Sequence, residues 1–285
     1  MVRHRGSLAS LALLALLLPS SIAQAQRIDS VTVEQRVLMT PELTPAEARR
    51  RAIDGALAEA VRRAAGVRVQ SSALSTLDDV PGGAVHGGYS SVIQLDAAAR
   101  AVDYRVLDEE WETLRPAGVP PQLYLRLRLV VTVQGEAGTP DAAFQLELSL
   151  NATRFDVHAG PPGTADEIIA TIRASQASYL VLFTVADDSV LRLFPNEYVR
   201  DIRAAAGTPL ELPDPEWRAR GLRLRATLPS GRTARREFLV VVATRTAVPP
   251  PPAALSVVAL QRWLVRIPLG DRTIAFAPYE VRRAP

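Results

Sequence analysis

The side chains that most often carry out chemistry are scarce in this sequence. Cysteine is absent, and so is lysine; all 33 basic residues are arginine. That removes thiolate nucleophiles and thiolate metal sites, and with them the P-loop and Schiff-base lysines. Of the three histidines, His86 and His158 fall in different predicted domains, so a shared metal centre would need both domains and a carboxylate. Asp108, Glu109, Glu110 and Glu112 form an acidic run. Paired carboxylates do acid–base work or hold a hard cation, but here the run follows an alternating strand, and solvated charge at a strand end is the plainer reading. Asp187 and Asp188 stand where a hairpin turn favours Asp. Gly82-Gly83 and Gly87-Gly88 lack the strand-then-helix frame of a phosphate cradle. Neither Gly-x-Ser-x-Gly nor His-Glu-x-x-His occurs. The expectation is no catalytic residue, no metal and no cofactor.

The most distinctive patch is Leu193-Phe194-Pro195-Asn196, with Tyr198 and Arg200 close behind. Proline fixes the backbone, and Asn196 can bond its own turn. One reading is a strand terminator. The other is a partner-facing knuckle, since Tyr and Arg anchor interfaces. On the second reading Phe194, Pro195, Asn196, Tyr198 and Arg200 form the partner-binding site. Trp111, Trp217 and Trp263 serve either as core or as anchors.

The elements that must position this patch follow from periodicity. Arg3 and Arg5, the apolar run Leu8 to Leu18, and Ala23-Gln24-Ala25 make a secretory signal peptide over residues 1–25. The run is too short to span a bilayer, which needs about 20 apolar residues. The whole sequence carries a net charge of +3, and the signal takes two of those arginines with it. A nearly neutral chain suits neither nucleic acid nor, without further apolar runs, stable membrane insertion.

A first domain is expected over residues 26–136. Arg27 to Met39 alternates as a strand. Thr44-Pro45-Ala46-Glu47 is a capping box with proline at N1. The helix behind it carries Ala48, Ala52, Ile53, Ala56, Leu57, Ala60, Val61 and Ala64 on one face, and Gly66 stops it. Strands follow at Val67 to Val69, Ala101 to Leu107 and Leu123 to Val133, with a Gly/Ser-rich loop over residues 71–91. The result is a helix on an antiparallel sheet.

Gly135 to Asp141 reads as a polar linker, and a second, β-rich domain spans residues 141–285. Its strands are expected at 144–150, 168–174, 179–185, 190–194, 210–212, 222–228, 237–244 and 273–282. A stiff Pro249 to Pro252 connector leads to a helix over 254–265. The whole is α+β: a helix packed on an antiparallel sheet, then a β-sandwich-like domain with one late helix.

Two resemblances follow from these residues. "AAGVRVQSS", "VDYRVLDEEWE" and "LYLRLRLVVTVQ" make the first domain similar to the N-terminal domain of flagellar assembly protein T and related exported envelope proteins. That implies a small helix-on-sheet module in the periplasm. Tyr179 to Phe183, Asp187 and Asp188, Leu193 to Asn196, Ala206-Gly207 and Leu210 to Pro213 resemble the domain of unknown function 4384. "REFLVVVATR" and Tyr279 to Val281 extend the likeness. That family occurs on secreted bacterial proteins and beside kinase or caspase-like peptidase domains, and no chemistry transfers from it.

The expected function is therefore that of an exported, non-enzymatic cell-envelope accessory protein, periplasmic or secreted, in a bacterium. It would act by protein–protein binding or assembly with other envelope or secreted proteins. The rival reading is a periplasmic small-molecule or glycan-binding protein with its site at the domain junction.

Overall fold

The computed structural model describes residues 28–41, 43–65, 99–115, 118, 120–158, 165–187 and 189–284. The signal peptide, the strand at Val67 to Val69, Gly66, the 71–91 loop with His86 and both Gly-Gly pairs, and Asp188 lie outside the described residues.

The N-terminal part is a three-stranded antiparallel sheet in the order β1-β3-β2, with β1 Ile28–Leu38, β2 Ala99–Leu114 and β3 Gln122–Gly135. Helix α1, Pro45–Ala65, covers one face. Its start is the capping box read from the sequence. The Thr44 N–H donates to Glu47 Oε2 at 3.1 Å, and the Glu47 N–H donates to Thr44 Oγ1 at 3.3 Å. Ala48, Ala52, Ala56 and Ala60 recur every four residues and are fully buried. Side chains this small let the helix axis lie close to Leu125, Leu127, Leu129 and Val131 of the central strand. Gly55 brings the helix closer still: a Cβ there would stand 3.0 Å from the Gln35 side chain.

β2 runs further than the sequence suggests. The acidic run lies inside the strand rather than beyond its end, opposite Arg126 and Arg128 of β3. Opposite charges facing each other across an antiparallel pair hold those residues in the ladder.

The C-terminal part is built on a seven-stranded sheet, mostly antiparallel. Its strands are β5 Arg154–Val157, β7 Ser178–Ala186, β8 Ser189–Phe194, β9 Arg203–Ala204, β11 Ala234–Thr244, β12 Ala254–Ser256 and β13 Arg272–Arg283. A smaller sheet of β4 Leu146–Leu150, β6 Ala170–Ala174 and β10 Leu210–Leu212 packs on one face. Helix α3, Val257–Leu264, packs on the other; a short α2, Pro215–Ala219, was not expected from the sequence. Glu237 to Thr244 is buried residue after residue because β11 is covered on both faces. Leu239, Val241 and Ala243 point into the sandwich core. Phe238, Val240 and Val242 point towards α3.

Two further expected elements differ. Leu222 to Leu228 is not a strand: Arg225 makes a single isolated bridge to Glu167. Its leucines keep the alternation because Leu222, Leu224 and Leu228 still lean on the sandwich core. The late helix begins at Val257, not Ala254, because 254–256 pair with β8 and Ser256 Oγ caps the helix by accepting from the Ala259 N–H.

The segment read as a linker is fastened along its length. The Leu269 N–H donates to Ala137 O at 2.8 Å, and Asp141 pairs with Arg245, which also donates to Gly270 O at 2.7 Å. Gly270 sits so near this segment that a Cβ would approach Thr139 O to 3.2 Å.

Candidate functional site

The Leu193–Asn196 turn is where β8 leaves the sheet and the chain swings round to β9. β7 consequently changes neighbour along its length. Its later residues pair with β8 and its first two with β9, and the Leu180 N–H donates to Ile202 O at 2.9 Å. Both the Phe194–Pro195 and Leu212–Pro213 peptides are cis.

Asn196 organises the turn. Its Oδ1 accepts from the N–H groups of Tyr198 (3.0 Å) and Val199 (2.9 Å), and its Nδ2 donates to Leu193 O at 3.0 Å. The five proposed site residues therefore separate. The Phe194 ring is 0% exposed, inside the sandwich core and 5.7 Å from Trp217; it supports the turn from beneath and offers no surface to a partner. Asn196 is committed to its own loop. Pro195 is largely buried but lines a cleft. Tyr198 is 75% exposed, and the Glu197 carboxylate hydrogen-bonded to it holds its phenol above the ordinary range. Arg200 is exposed and has no hydrogen bond or ion pair to another described residue.

The cleft beside the turn has a volume of ≈ 380 Å³. Pro195 and Arg200 meet there with Tyr179, Val181, Arg203 and Val248. The Arg203 guanidinium lies over the Tyr179 ring, 4.9 Å from its centroid, and its Nε reaches Asp201 at 3.3 Å. Sequence reading missed Tyr179, Arg203 and Val248. The pairing of β7 with β9 brings Tyr179 and Arg203 to the turn, and the loop that leaves β11 beside Tyr179 brings Val248.

A second polar assembly joins the two parts of the molecule. Glu136, at the end of β3, is 1% exposed at its side chain and takes both Arg100 and Arg272 on Oε1. Arg100 Nη1 donates to Gln261 Oε1 of α3 at 2.7 Å, and Arg272 Nη1 donates to Leu264 O at 2.5 Å. Burial, reinforced by the charge of Arg100, pushes the Arg272 pKa down to about 10, against the pull of Glu136. Arg262 of α3 donates to Val102 O at 2.8 Å, and Val258 enters the core of the N-terminal sheet. No local motif marks these residues, because their partners lie up to 161 positions away.

The remaining candidates fall into structural places. Arg126 gathers Asp108, Glu110 and Glu112, and Arg49 takes Glu109 at 2.9 Å. Asp187 sits in its hairpin turn at φ 54°, with Arg235 at 3.4 Å. His158 is exposed, 3.7 Å from Asp166. Trp263 is buried against Phe183, Trp217 is half-buried on Phe194, and Trp111 is 43% exposed. Tyr279 donates to Glu237 at 2.6 Å and meets Thr184 at 2.9 Å; burial and the Glu237 charge raise its pKa and keep it a proton donor. Among the described residues, no three His, Cys, Asp or Glu side chains converge as a metal site, and no helix is long and apolar enough to cross a membrane.

No curated protein matches the sequence. Residues 162–246, which supply most of the cleft and the whole Leu193–Asn196 turn, match the family model described as Domain of unknown function (DUF4384).

Proposed function

We propose that this is an exported, non-enzymatic accessory protein of the bacterial cell envelope that works by docking other proteins, and that it docks them at the cleft beside the Leu193–Asn196 turn. The observation that carries the reading is the pairing of an exposed Tyr198 and an unengaged Arg200 with a loop held rigid by Asn196 and by the buried Phe194. Tyr and Arg on a preorganised frame are the usual anchors of an interface. The signal-like first 25 residues support export. The resemblance to the flagellar assembly protein T domain read from the N-terminal sequence is consistent with the same proposal.

The rival reading places a small molecule or glycan at the domain junction. The cavity between α1 and α3, lined by Asp54, Leu57, Tyr104 and Val257, has a volume of ≈ 90 Å³. Ligand pockets run to roughly 300–1,000 Å³, so the docking reading is the better supported.

The test is capture from the periplasm with the wild type, Tyr198→Ala and Arg200→Gln, each checked for folding by circular dichroism. A protein retained by the wild type and lost from both variants is the expected result. Equal capture by all three overturns the cleft as docking site. N-terminal sequencing of the exported form should begin at Gln26; an intact Met1 in the membrane fraction overturns the export reading.

A further inference from the structure

We infer that the cleft takes an acidic peptide segment, a carboxylate flanked by an apolar side chain. This rests on the docking reading above and names the chemistry of the partner.

The cleft offers few hydrogen-bond donors. Pro195, Pro249 and Pro250 line it and have no N–H to give. The Thr244 hydroxyl is already spent, donating to Thr246 O at 2.8 Å. The charged donors of the lining are the guanidiniums of Arg200 and Arg203, both on the exposed turn-to-strand segment. A guanidinium has five donors and no acceptor, and its planar fork matches a carboxylate.

Charge points the same way. The lining holds two arginines against one carboxylate, Asp201, which Arg203 already engages. Glu197, on the same loop, is outside the lining and is hydrogen-bonded to Tyr198. Arg200 thus meets an incoming ligand with its charge unspent. Tyr179, which the Arg203 guanidinium covers, shares the lining with Val181 and Val248, apolar surface for the side chain next to the carboxylate. An exposed arginine is hydrated until a partner covers it, so the pair gains most when an apolar neighbour excludes water beside it.

The experiment selects dodecapeptides from a random phage-displayed library on the full chain, then measures the selected synthetic peptides by fluorescence anisotropy. Enrichment of Asp or Glu next to an apolar residue is expected. Changing that acid to its amide should weaken binding about tenfold, and Arg200→Gln should erase the difference between the two peptides. Raising the salt should weaken the acidic peptide and leave the amide peptide nearly unchanged. Selection of neutral or basic peptides that bind wild type and lose affinity with Tyr198→Ala overturns the acidic specificity and leaves docking standing. Failure to select any peptide, or affinities untouched by Arg200→Gln, overturns the inference. If capture from the periplasm is then also indifferent to Tyr198→Ala and Arg200→Gln, the docking reading falls with it.

Discussion

The seam between the two parts of the molecule and the cleft beside the turn are built from the same residue type and use it in opposite ways. At the seam, Arg100 and Arg272 are almost wholly buried, and their donors go to Glu136, Gln261 and the carbonyl of Leu264. At the cleft, Arg200 and Arg203 are exposed, and one of them is uncommitted. A guanidinium stays charged wherever it is placed, so burial demands partners while exposure leaves donors for a ligand. In a chain without lysine, the surroundings alone decide which arginines hold the fold together and which meet a partner.

The sharpest way to break this contrast is to remove the carboxylate at the seam. Glu136→Ala leaves two buried guanidiniums facing each other and should cost about 3–5 kcal/mol, read as a lower urea midpoint in equilibrium unfolding. Because α3 contributes to both cores, the loss should appear in both parts together; unfolding of the N-terminal sheet alone would show that the seam does not couple them. Phe194→Ala removes a ring from the sandwich core and should cost a similar or smaller amount, about 3–5 kcal/mol. Its thermal melt should fall far more than that of Arg200→Gln, which removes no hydrogen bond or ion pair to a described residue and should stay within about 0.5 kcal/mol of wild type. Asn196→Ala strips three hydrogen bonds from the turn and should lie between them, at roughly 1–3 kcal/mol, with weakened peptide binding as the cleft loses its frame.

Acid gives the smallest effect. Hydrogen bonds from Thr44, from the Ala143 N–H and from Arg282 hold Glu47, Asp141 and Asp156 below their ordinary pKa values. Groups lowered in this way contribute stability that is present above their unfolded pKa values, roughly pH 4, and is lost as pH falls through the folded ones. Melting temperature should therefore decline below about pH 4, and Asp141→Asn should flatten that decline.

Much of the fold was legible because its signals are local. The Thr44 capping box, the alanine face of α1 and the alternation of Leu125 to Val133 each report their own surroundings, and the structure has them in place. What escaped depends on distant partners. The acidic run reads as a strand end until Arg126 is set across from it. Glu136 reads as a polar linker residue until Arg272 arrives from the end of the chain. At the candidate site, Tyr198 and Arg200 were found by type, but Phe194 and Asn196 carry the turn inward. Tyr179 and Arg203 needed the exchange of β8 for β9 at the edge of β7.

The enclosure of β11 also bears on time. Its backbone is paired along one edge with β7 and along the other with β13, and both its faces are covered. One partner precedes it in the chain and the other follows, so neither pairing forms from neighbouring residues alone, and loops must close before the strand gains its contacts. Once it is in place, none of its central amides reaches solvent without the sheet coming apart. The protons on Leu239 to Val242 should therefore be among the last to exchange with deuterium, and their exchange should report the opening of the whole sheet.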